Sequence, residues 1–121
     1  MSFRIFDHKE FLYIKYNQED FSDLEKLRKE LAAESSSKYN RDTVLDCSEA
    51  GQINSMEIGA IIQFLKTLPG TGRFLRLVAS SYVCELLISM NIHRVSNLII
   101  YDNLETVRQY FSSDIDMNAL I

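Results

Sequence analysis

The most informative part of the sequence for the fold is TVLDCSEAGQINSMEIGAIIQFLKTLPG, residues 43–70. Its mainly apolar start, TVLDC, predicts a short buried strand, and the polar loop SEAGQ follows. From Met56 to Leu68 the large apolar residues recur at three- and four-residue steps, the period of a helix with one buried face. Pro69 and Gly70 are typical of the end of such a helix. The stretch therefore predicts a strand, a loop and an amphipathic helix, in that order.

The predicted helix begins at the polar pair Asn54 and Ser55. Asn54 is a good N-cap residue, and Glu57 occupies the position where a side chain can complete a capping box. Ser55 would then lie in the first turn, where free backbone N–H groups and the positive end of the helix dipole can accommodate a phosphate. The sequence thus predicts a helix start at which a serine hydroxyl can be modified without unfolding the chain.

The segments on either side are also strands and helices. Upstream, FRIFDHKEFLYIKY predicts a hairpin, and SDLEKLRKELAAE predicts a helix in which Ser22 and Glu25 form a capping pattern. The connection SSSKYNRD is small and polar. Downstream, RFLRLVAS and VSNLIIY predict strands, with the helix YVCELLISM between them. Its buried side is expected to carry Val83, Leu86, Leu87 and Met90. The segment LETVRQYF predicts a final helix, capped by Asp102 and Glu105.

The resulting order is β-β-α-β-α-β-α-β-α. A leading hairpin followed by alternating strands and helices indicates an α/β fold with a mixed, mostly parallel sheet and about four helices. The helices should cover at least one face of that sheet. The length predicts a single domain over residues 1–121, with its core at about 3–111 and a tail at 112–121.

The composition excludes several classes of protein. Hydrophobic residues at 46% and charged residues at 25% are ordinary values for a folded domain. The net charge of -4 disfavours nucleic acid as a partner, because binding to phosphate backbones requires clustered Lys and Arg. The sequence lacks a signal-peptide pattern, and no apolar run approaches the ~18 residues that a membrane helix needs. We therefore expect a cytoplasmic protein without direct membrane insertion.

Side chains that could support catalysis or bind a metal are scarce and scattered. Neither His8 nor His93 is linked by its spacing to Ser55, and no Gly-x-Ser-x-Gly elbow is present. Cys47 and Cys84 are isolated, whereas structural zinc ligands come as closely spaced pairs. We therefore expect no catalytic residue, no metal and no cofactor.

Two other motifs have simple interpretations. PGTG, residues 69–72, lacks the Lys and Ser or Thr of a phosphate-binding loop and follows a helix, so it is interpreted as a helix stop. Asp46 ends a middle strand, where a response-regulator receiver carries its phosphoacceptor. A receiver also needs a Lys after its last strand, which NLIIYDN does not supply, so Asp46 is interpreted as a loop or cap residue.

The order of these elements resembles a known family. A strand that ends near an Asp is followed by a serine that opens a helix, with Gly59 four residues on. A strand, a Leu-rich helix and a further strand come next. These elements lie in the string VLDCSEAGQINSMEIGAIIQFLKTLPGTGRFLRLVASSYVCELLISMNIHRVSNLIIYDNLETV. Upstream, YIKYNQEDFSDLEKLRKEL supplies a strand, an Asp-containing loop and a helix. This pattern is similar to that of the STAS domain, the sulfate transporter and anti-sigma factor antagonist family, over about residues 3–111. Asn54 stands where the family has Asp, and Met56 and Glu57 replace small residues.

Stand-alone STAS proteins of this length resemble bacterial anti-anti-sigma factors, which act by partner switching. In that family the unphosphorylated protein binds an anti-sigma factor that is also a serine kinase, and the sigma factor is released. The kinase then phosphorylates a serine at the helix start, and a serine phosphatase of the metal-dependent type reverses the reaction. The resemblance implies that Ser55 is the phosphoacceptor and that the chain is not an enzyme. It implies a kinase-binding surface formed by Asp20, Ser22, Asn54, Met56 and Glu57.

Two alternatives stay open. The chain could be a non-phosphorylated STAS scaffold, in a signalling assembly or as the cytoplasmic subunit of a transporter, with Met56 and the acidic loop as a constitutive contact. It could also be a small enzyme or ligand carrier with a pocket at the strand ends. Convergent polar groups around His93 would be the sign of such a pocket.

Overall fold

The computed structural model describes residues 3–16, 21–37, 40–50, 53–103 and 105–106. Within these residues the chain forms five strands, three α-helices and one short 3₁₀ turn, Ile92–Arg94. The strands are β1 Phe3–Asp7, β2 Phe11–Tyr16, β3 Asp42–Cys47, β4 Leu75–Ala79 and β5 Leu98–Tyr101. The helices are α1 Phe21–Ser35, α2 Ser55–Leu65 and α3 Ser81–Ser89. No helix within the described ranges has the length and apolar character needed to cross a lipid bilayer.

All five strands belong to one sheet in the order β1-β2-β3-β4-β5. β1 and β2 form the antiparallel hairpin, and the three later pairs are parallel. Each crossover therefore joins neighbouring strands in the same direction along the sheet. Because such crossovers are almost always right-handed, α1, α2 and α3 come to lie on one face. The predicted α/β fold with a leading hairpin and a mostly parallel sheet is confirmed.

The alternation of side chains along each strand gives the sheet two distinct faces. The face toward the helices carries the main core, in which Leu12, Ile14 and Leu45 pack with the buried sides of the helices. The opposite face carries a second, smaller buried cluster consisting of Phe11, Tyr13, Val44, Val78 and Tyr101. The two faces that the sequence predicts for β2 are therefore both buried.

The helices bury the apolar residues that their sequence spacing indicates. Leu24, Leu27 and Leu31 of α1 are buried, as are Ile58, Ile61 and Leu65 of α2. In α3, Val83 and Leu87 are buried and Leu86 is half-buried. Met90 is 48% exposed, so its predicted place in the core is wrong. Met90 is the C-cap of α3: its N–H still donates to the Leu86 carbonyl at 3.2 Å, but the chain leaves the helix at this residue and turns through the left-handed Asn91, so the side chain stays at the surface.

The motif PGTG is the turn between α2 and β4. Gly70 and Gly72 have φ angles of 81° and 78°, a left-handed conformation that glycine adopts without steric cost. The Thr71 N–H donates to the carbonyl of Leu68 at 3.0 Å and closes the turn. PGTG therefore forms the turn that leads into β4, but the interpretation as a helix stop is wrong, because α2 already ends at Leu65 with Lys66 as its C-cap, three residues before the predicted end.

Several predicted boundaries need correction. α1 begins at Phe21, so Ser22 is its second residue and lies within the first turn instead of before it. Asp46 lies inside β3, not in a loop, although its carboxylate does hold the turn that follows. Asn103, and not Asp102, has the contacts of a capping residue, because its Oδ1 accepts the Thr106 N–H at 2.9 Å. The structure has three α-helices within the described ranges; most of the predicted fourth and the tail 112–121 lie outside them.

Candidate functional site

The starts of the three helices lie at one edge of the sheet. Because β2, β3, β4 and β5 are parallel, their carboxyl ends share an edge, and each connecting helix begins there. We name this edge, with the helix starts at Phe21, Ser55 and Ser81, the carboxyl edge. Ligands and partners of open parallel sheets typically bind outside these strand ends. The predicted site residues at the starts of α1 and α2 are therefore on one side of the molecule.

A capping box fixes the start of α2. Asn54 has an extended backbone, and its Oδ1 accepts the N–H of Glu57 at 2.9 Å. Glu57 Oε1 in turn accepts the N–H of Asn54, also at 2.9 Å. The first helical bond runs from the Ile58 N–H to the Asn54 carbonyl at 3.0 Å. The cap that the sequence predicts at these residues is present.

Ser55 is the first residue of α2 and is exposed. Its neighbours Asn54 and Met56 are exposed as well, and 42% of Met56 is accessible. The N–H groups of a first helical turn have no partners within the helix and are directed toward its N-terminal end. The Ser55 hydroxyl therefore lies at a surface where an anion is favoured.

Glu57 is buried, unlike the exposed residues Asn54, Ser55 and Met56 beside it. Its side chain is turned inward and only 3% of the residue is exposed. Beneath it lies Tyr16 at the end of β2, 1% exposed, whose phenol pKa is raised by burial and then by the nearby Glu57 carboxylate. In this structure Glu57 can affect a partner only through the shape of the cap, and its part in partner binding stays a prediction.

The starts of α1 and α2 meet at Tyr16. The same phenol is influenced by Asp23, a 2% exposed residue in the first turn of α1. Ser22 precedes Asp23 and is exposed at the carboxyl edge. Asp20 lies outside the described residues. The structure thus brings the helix of Ser22 beside the helix of Asn54, Ser55 and Met56.

The loop between β3 and α2 is held at three points. Asp46 Oδ2 accepts the Tyr13 hydroxyl at 2.5 Å, and its Oδ1 accepts the Ser48 N–H at 3.0 Å. Lys15 Nζ pairs with Glu49 Oε1 at 3.1 Å, and the Ser80 hydroxyl donates to the Ala50 carbonyl at 3.2 Å. Contacts from β2 and from the start of α3 therefore fix residues 48–50, the described part of the loop after β3.

Sequence reasoning missed a second serine with the same local geometry. Ser81 is the first residue of α3, exposed, and preceded by the N-cap Ser80, whose Oγ accepts the Val83 N–H at 3.4 Å. The adjacent Tyr82 is 59% exposed. The signal in the sequence was the pair Ser80-Ser81 between a strand and a helix. Ser81 provides an internal comparison for any property attributed to Ser55.

The histidines and cysteines do not form a shared site. His8 lies in the hairpin turn, where its Nδ1 accepts the Glu10 N–H at 3.0 Å. His93 lies in the 3₁₀ turn that leads into β5, at the opposite end of that strand from the carboxyl edge. Burial raises the pKa of the Cys47 thiol, with Asp46 and Glu57 adding to the effect. No three potential metal ligands are grouped within the part of the chain that the structure describes.

Similarity to known proteins is found in the fold and not in the sequence. The sequence matches no protein-family model and no curated protein. The structure is similar to the crystal structure of a candidate anti-sigma factor antagonist from Thermotoga maritima, with a TM-score of 0.73 and 22% identity over 89% of this chain and 92% of that one. An NMR structure of the same protein gives a TM-score of 0.64 and 22% identity over 87% and 84% of the two chains.

A second similar structure is that of an anti-sigma-factor antagonist (STAS) domain protein from Planctomyces limnophilus. The TM-score is 0.73 and the identity 14%, over 91% of this chain and 97% of the other. Both proteins are thus matched over most of their length. This chain therefore has the fold of these STAS-domain structures, as the sequence resemblance predicts.

Proposed function

We propose that this chain is an anti-sigma factor antagonist that binds an anti-sigma serine kinase and is switched by phosphorylation of Ser55. The observation that carries the proposal is the exposed position of Ser55 as the first residue of α2, within a fold shared with antagonist structures. In the reaction, the kinase transfers the γ-phosphoryl group of ATP to Ser55 Oγ, and ADP and a proton are released. A serine phosphatase hydrolyses the ester and restores the hydroxyl.

The local geometry is compatible with the modified form. A phosphoserine carries about -1.5 to -2 charges at neutral pH and three strong acceptor oxygens. At Ser55 these oxygens would lie near the unpaired N–H groups of the first turn and the positive end of the helix dipole. The phosphate can therefore be accommodated at the helix start without unfolding the rest of α2.

The partner surface is proposed to surround Ser55 at the carboxyl edge. Met56 and Tyr82 are apolar side chains with 42% and 59% of their surface exposed, and Asn54 and Ser22 add polar groups. Aromatic residues and Met are enriched at protein interfaces. A phosphate introduced into the centre of such a contact must be desolvated, which opposes binding. Dissociation on phosphorylation follows from this placement.

The decisive experiment is phosphorylation in vitro. The wild-type chain is incubated with ATP and the serine kinase encoded beside its gene, and the phosphate is located by mass spectrometry. We expect one phosphate on Ser55 and none in the variant Ser55→Ala. The matched control is Ser81→Ala, because Ser81 is also an exposed first helical residue. Modification of Ser81 in place of Ser55, or of neither, would contradict the proposal.

A binding measurement tests the switch itself. Ser55→Ala should bind the kinase like the unmodified wild type, whereas Ser55→Glu and the phosphorylated chain should bind at least about tenfold more weakly, the change expected for one interface contact worth 1.4 kcal/mol. Equal binding by all forms would reject phosphorylation as the switch.

A non-phosphorylated scaffold is the second candidate function. The observation in its favour is the exposed apolar surface of Met56 and Tyr82, which is available to a partner without any modification. A scaffold would bind its partner equally in wild-type, Ser55→Ala and Ser55→Glu forms, and would co-purify with a signalling or transporter assembly. The same binding series thus distinguishes the two functions.

A further inference from the structure

Glu57 is a carboxylate buried directly behind the proposed phosphoacceptor. It is 3% exposed although it lies only two residues after Ser55 in the first turn of α2. Carboxylates are rarely buried unless they have a partner. Here the hydrogen-bond partner is the backbone N–H of Asn54 at 2.9 Å, and the phenol of Tyr16 lies close enough to interact electrostatically with the carboxylate. The buried Glu57 carboxylate is therefore stabilised by contacts that also fix the backbone at the start of α2.

The surroundings of this carboxylate include further buried acidic or ionisable groups. Tyr16 is also influenced by Asp23 and Cys47, which are 2% and 1% exposed. Lys26 Nζ lies 3.9 Å from Asp23 Oδ1, and the Lys26 side chain is 58% exposed. Two buried carboxylates thus act on the same phenol, and the ammonium that pairs with Asp23 is largely in solvent. The balance of charge at the start of α2 is sensitive to any added anion.

A phosphate on Ser55 would add that anion within one helical turn of Glu57. Like charges at this range repel, and burial strengthens the repulsion because the effective dielectric constant is lower than in water. The phosphate oxygens would also compete for the N–H groups at the helix end. Both effects act against the bond between Glu57 and the Asn54 N–H.

We propose that Glu57 is the positioning residue through which phosphorylation of Ser55 loosens the first turn of α2. In the unmodified chain the capping box holds Asn54, Ser55 and Met56 in the shape that a partner binds. In the phosphorylated chain Glu57 leaves the Asn54 N–H, and this surface loses its fixed shape. The inference rests on the proposed function only for the choice of Ser55 as the modified residue.

The test uses phosphoserine incorporated at position 55 during synthesis of the full chain, so that no kinase is needed. Hydrogen exchange of the Asn54 amide, followed by NMR, measures opening of the cap. In the wild type we expect phosphoserine to accelerate this exchange about tenfold, the size of one screened charge repulsion near a surface. In Glu57→Gln the acceleration should fall below about twofold, because glutamine also completes a capping box but carries no charge.

Glu49→Gln is the matched control. It removes one negative charge from the loop before α2, but from a side chain that is 60% exposed and paired with Lys15. It should keep the full acceleration of the wild type. A structural role of Glu57 alone would change exchange equally in the serine and phosphoserine forms, so comparing both forms of wild type, Glu57→Gln and Glu49→Gln isolates the response to phosphate.

Equal acceleration in wild type and Glu57→Gln, or none in the wild type, would overturn the inference. If Glu57→Gln fails to fold, the aromatic signals of Tyr16 in the wild-type chain give a second readout, since they must shift between the serine and phosphoserine forms if Glu57 moves. Failure of the kinase to modify Ser55 would reject the proposed function while leaving these measurements valid.

Discussion

Asn54 and Glu57 hold the start of α2 through a reciprocal pair of hydrogen bonds, each 2.9 Å long. The side chain of each residue accepts the backbone N–H of the other. Two N–H groups near the helix start that have no partner within the helix are thereby satisfied. Ser55 lies between the two residues of this pair, so its hydroxyl is presented from a fixed backbone.

The first prediction concerns the contribution of this cap to stability. Asn54→Ala should lower the free energy of unfolding by about 1 kcal/mol, because alanine cannot accept the Glu57 N–H. Asn54→Ser retains an acceptor oxygen and should cost only a few tenths of a kcal/mol. Urea unfolding followed by circular dichroism measures both. Equal stability of Asn54→Ala and wild type would show that the cap is not held in solution.

The second prediction concerns the buried ion pair between Arg41 and Glu34. Arg41 Nε and Nη2 each donate to a Glu34 carboxylate oxygen at 2.9 Å, and both side chains are 4% exposed. Arg41 also contacts Asp7 and the His8 carbonyl, joining the end of α1 to the hairpin turn. Arg41→Met should cost about 3–5 kcal/mol, because it leaves the Glu34 carboxylate buried without its partner.

An exposed pair on the same helix is the control for Arg41. Arg28 Nη1 lies 3.0 Å from Glu25 Oε1, with side chains that are 43% and 51% exposed. Arg28→Met should change the free energy of unfolding by less than about 0.5 kcal/mol, since solvent screens the pair. Similar losses in the two variants would mean that burial does not distinguish these ion pairs.

The helix start and the order of elements could be predicted because they depend on local patterns. The apolar spacing of Ile58, Ile61 and Leu65 identifies the buried side of α2. Asn54 and Glu57 at the right separation identify its cap. Both signals lie within a few residues of the feature they predict, so no knowledge of the rest of the fold is needed.

The direction of the Glu57 side chain could not be predicted in this way. Its burial depends on Tyr16 of β2 and on Cys47 of β3, which the fold brings under the helix start. Arg41 is a similar case: a polar connection in the sequence hides a buried arginine whose partners come from α1 and the hairpin. A pattern of residue types predicts burial of apolar residues well, but burial of a charge depends on distant partners.

The third prediction concerns alkaline pH and Tyr16. Burial and the Glu57 carboxylate raise the pKa of Tyr16 above its ordinary value of about 10. The unfolded chain ionises this phenol first, so the stability it contributes is complete below pH ~10 and is lost as the pH rises toward the higher folded value. The loss attributable to Tyr16 should approach about 1.4 kcal/mol for each pH unit above 10.

Tyr16→Phe isolates this effect. At neutral pH the variant should be about 1 kcal/mol less stable, because the interaction of the phenol with the Glu57 carboxylate is lost. Above pH 10 the difference from wild type should shrink, since phenylalanine has no proton to release. Urea unfolding of both chains between pH 8 and 11 checks the sign. A difference that stays constant over this range would contradict the raised pKa.

The last prediction concerns Met56 as part of the proposed partner surface. Met56 is exposed beside Ser55, so truncation to alanine should leave the free energy of unfolding within about 0.5 kcal/mol of wild type. If Met56 is buried against the kinase, the same truncation should weaken binding about tenfold, the effect of losing 1.4 kcal/mol at an interface. Ile88→Ala is the control, because Ile88 is 53% exposed near the opposite end of α3. Calorimetric titration should show a loss of affinity for Met56→Ala alone, and an equal loss for Ile88→Ala would place the contact elsewhere than the carboxyl edge.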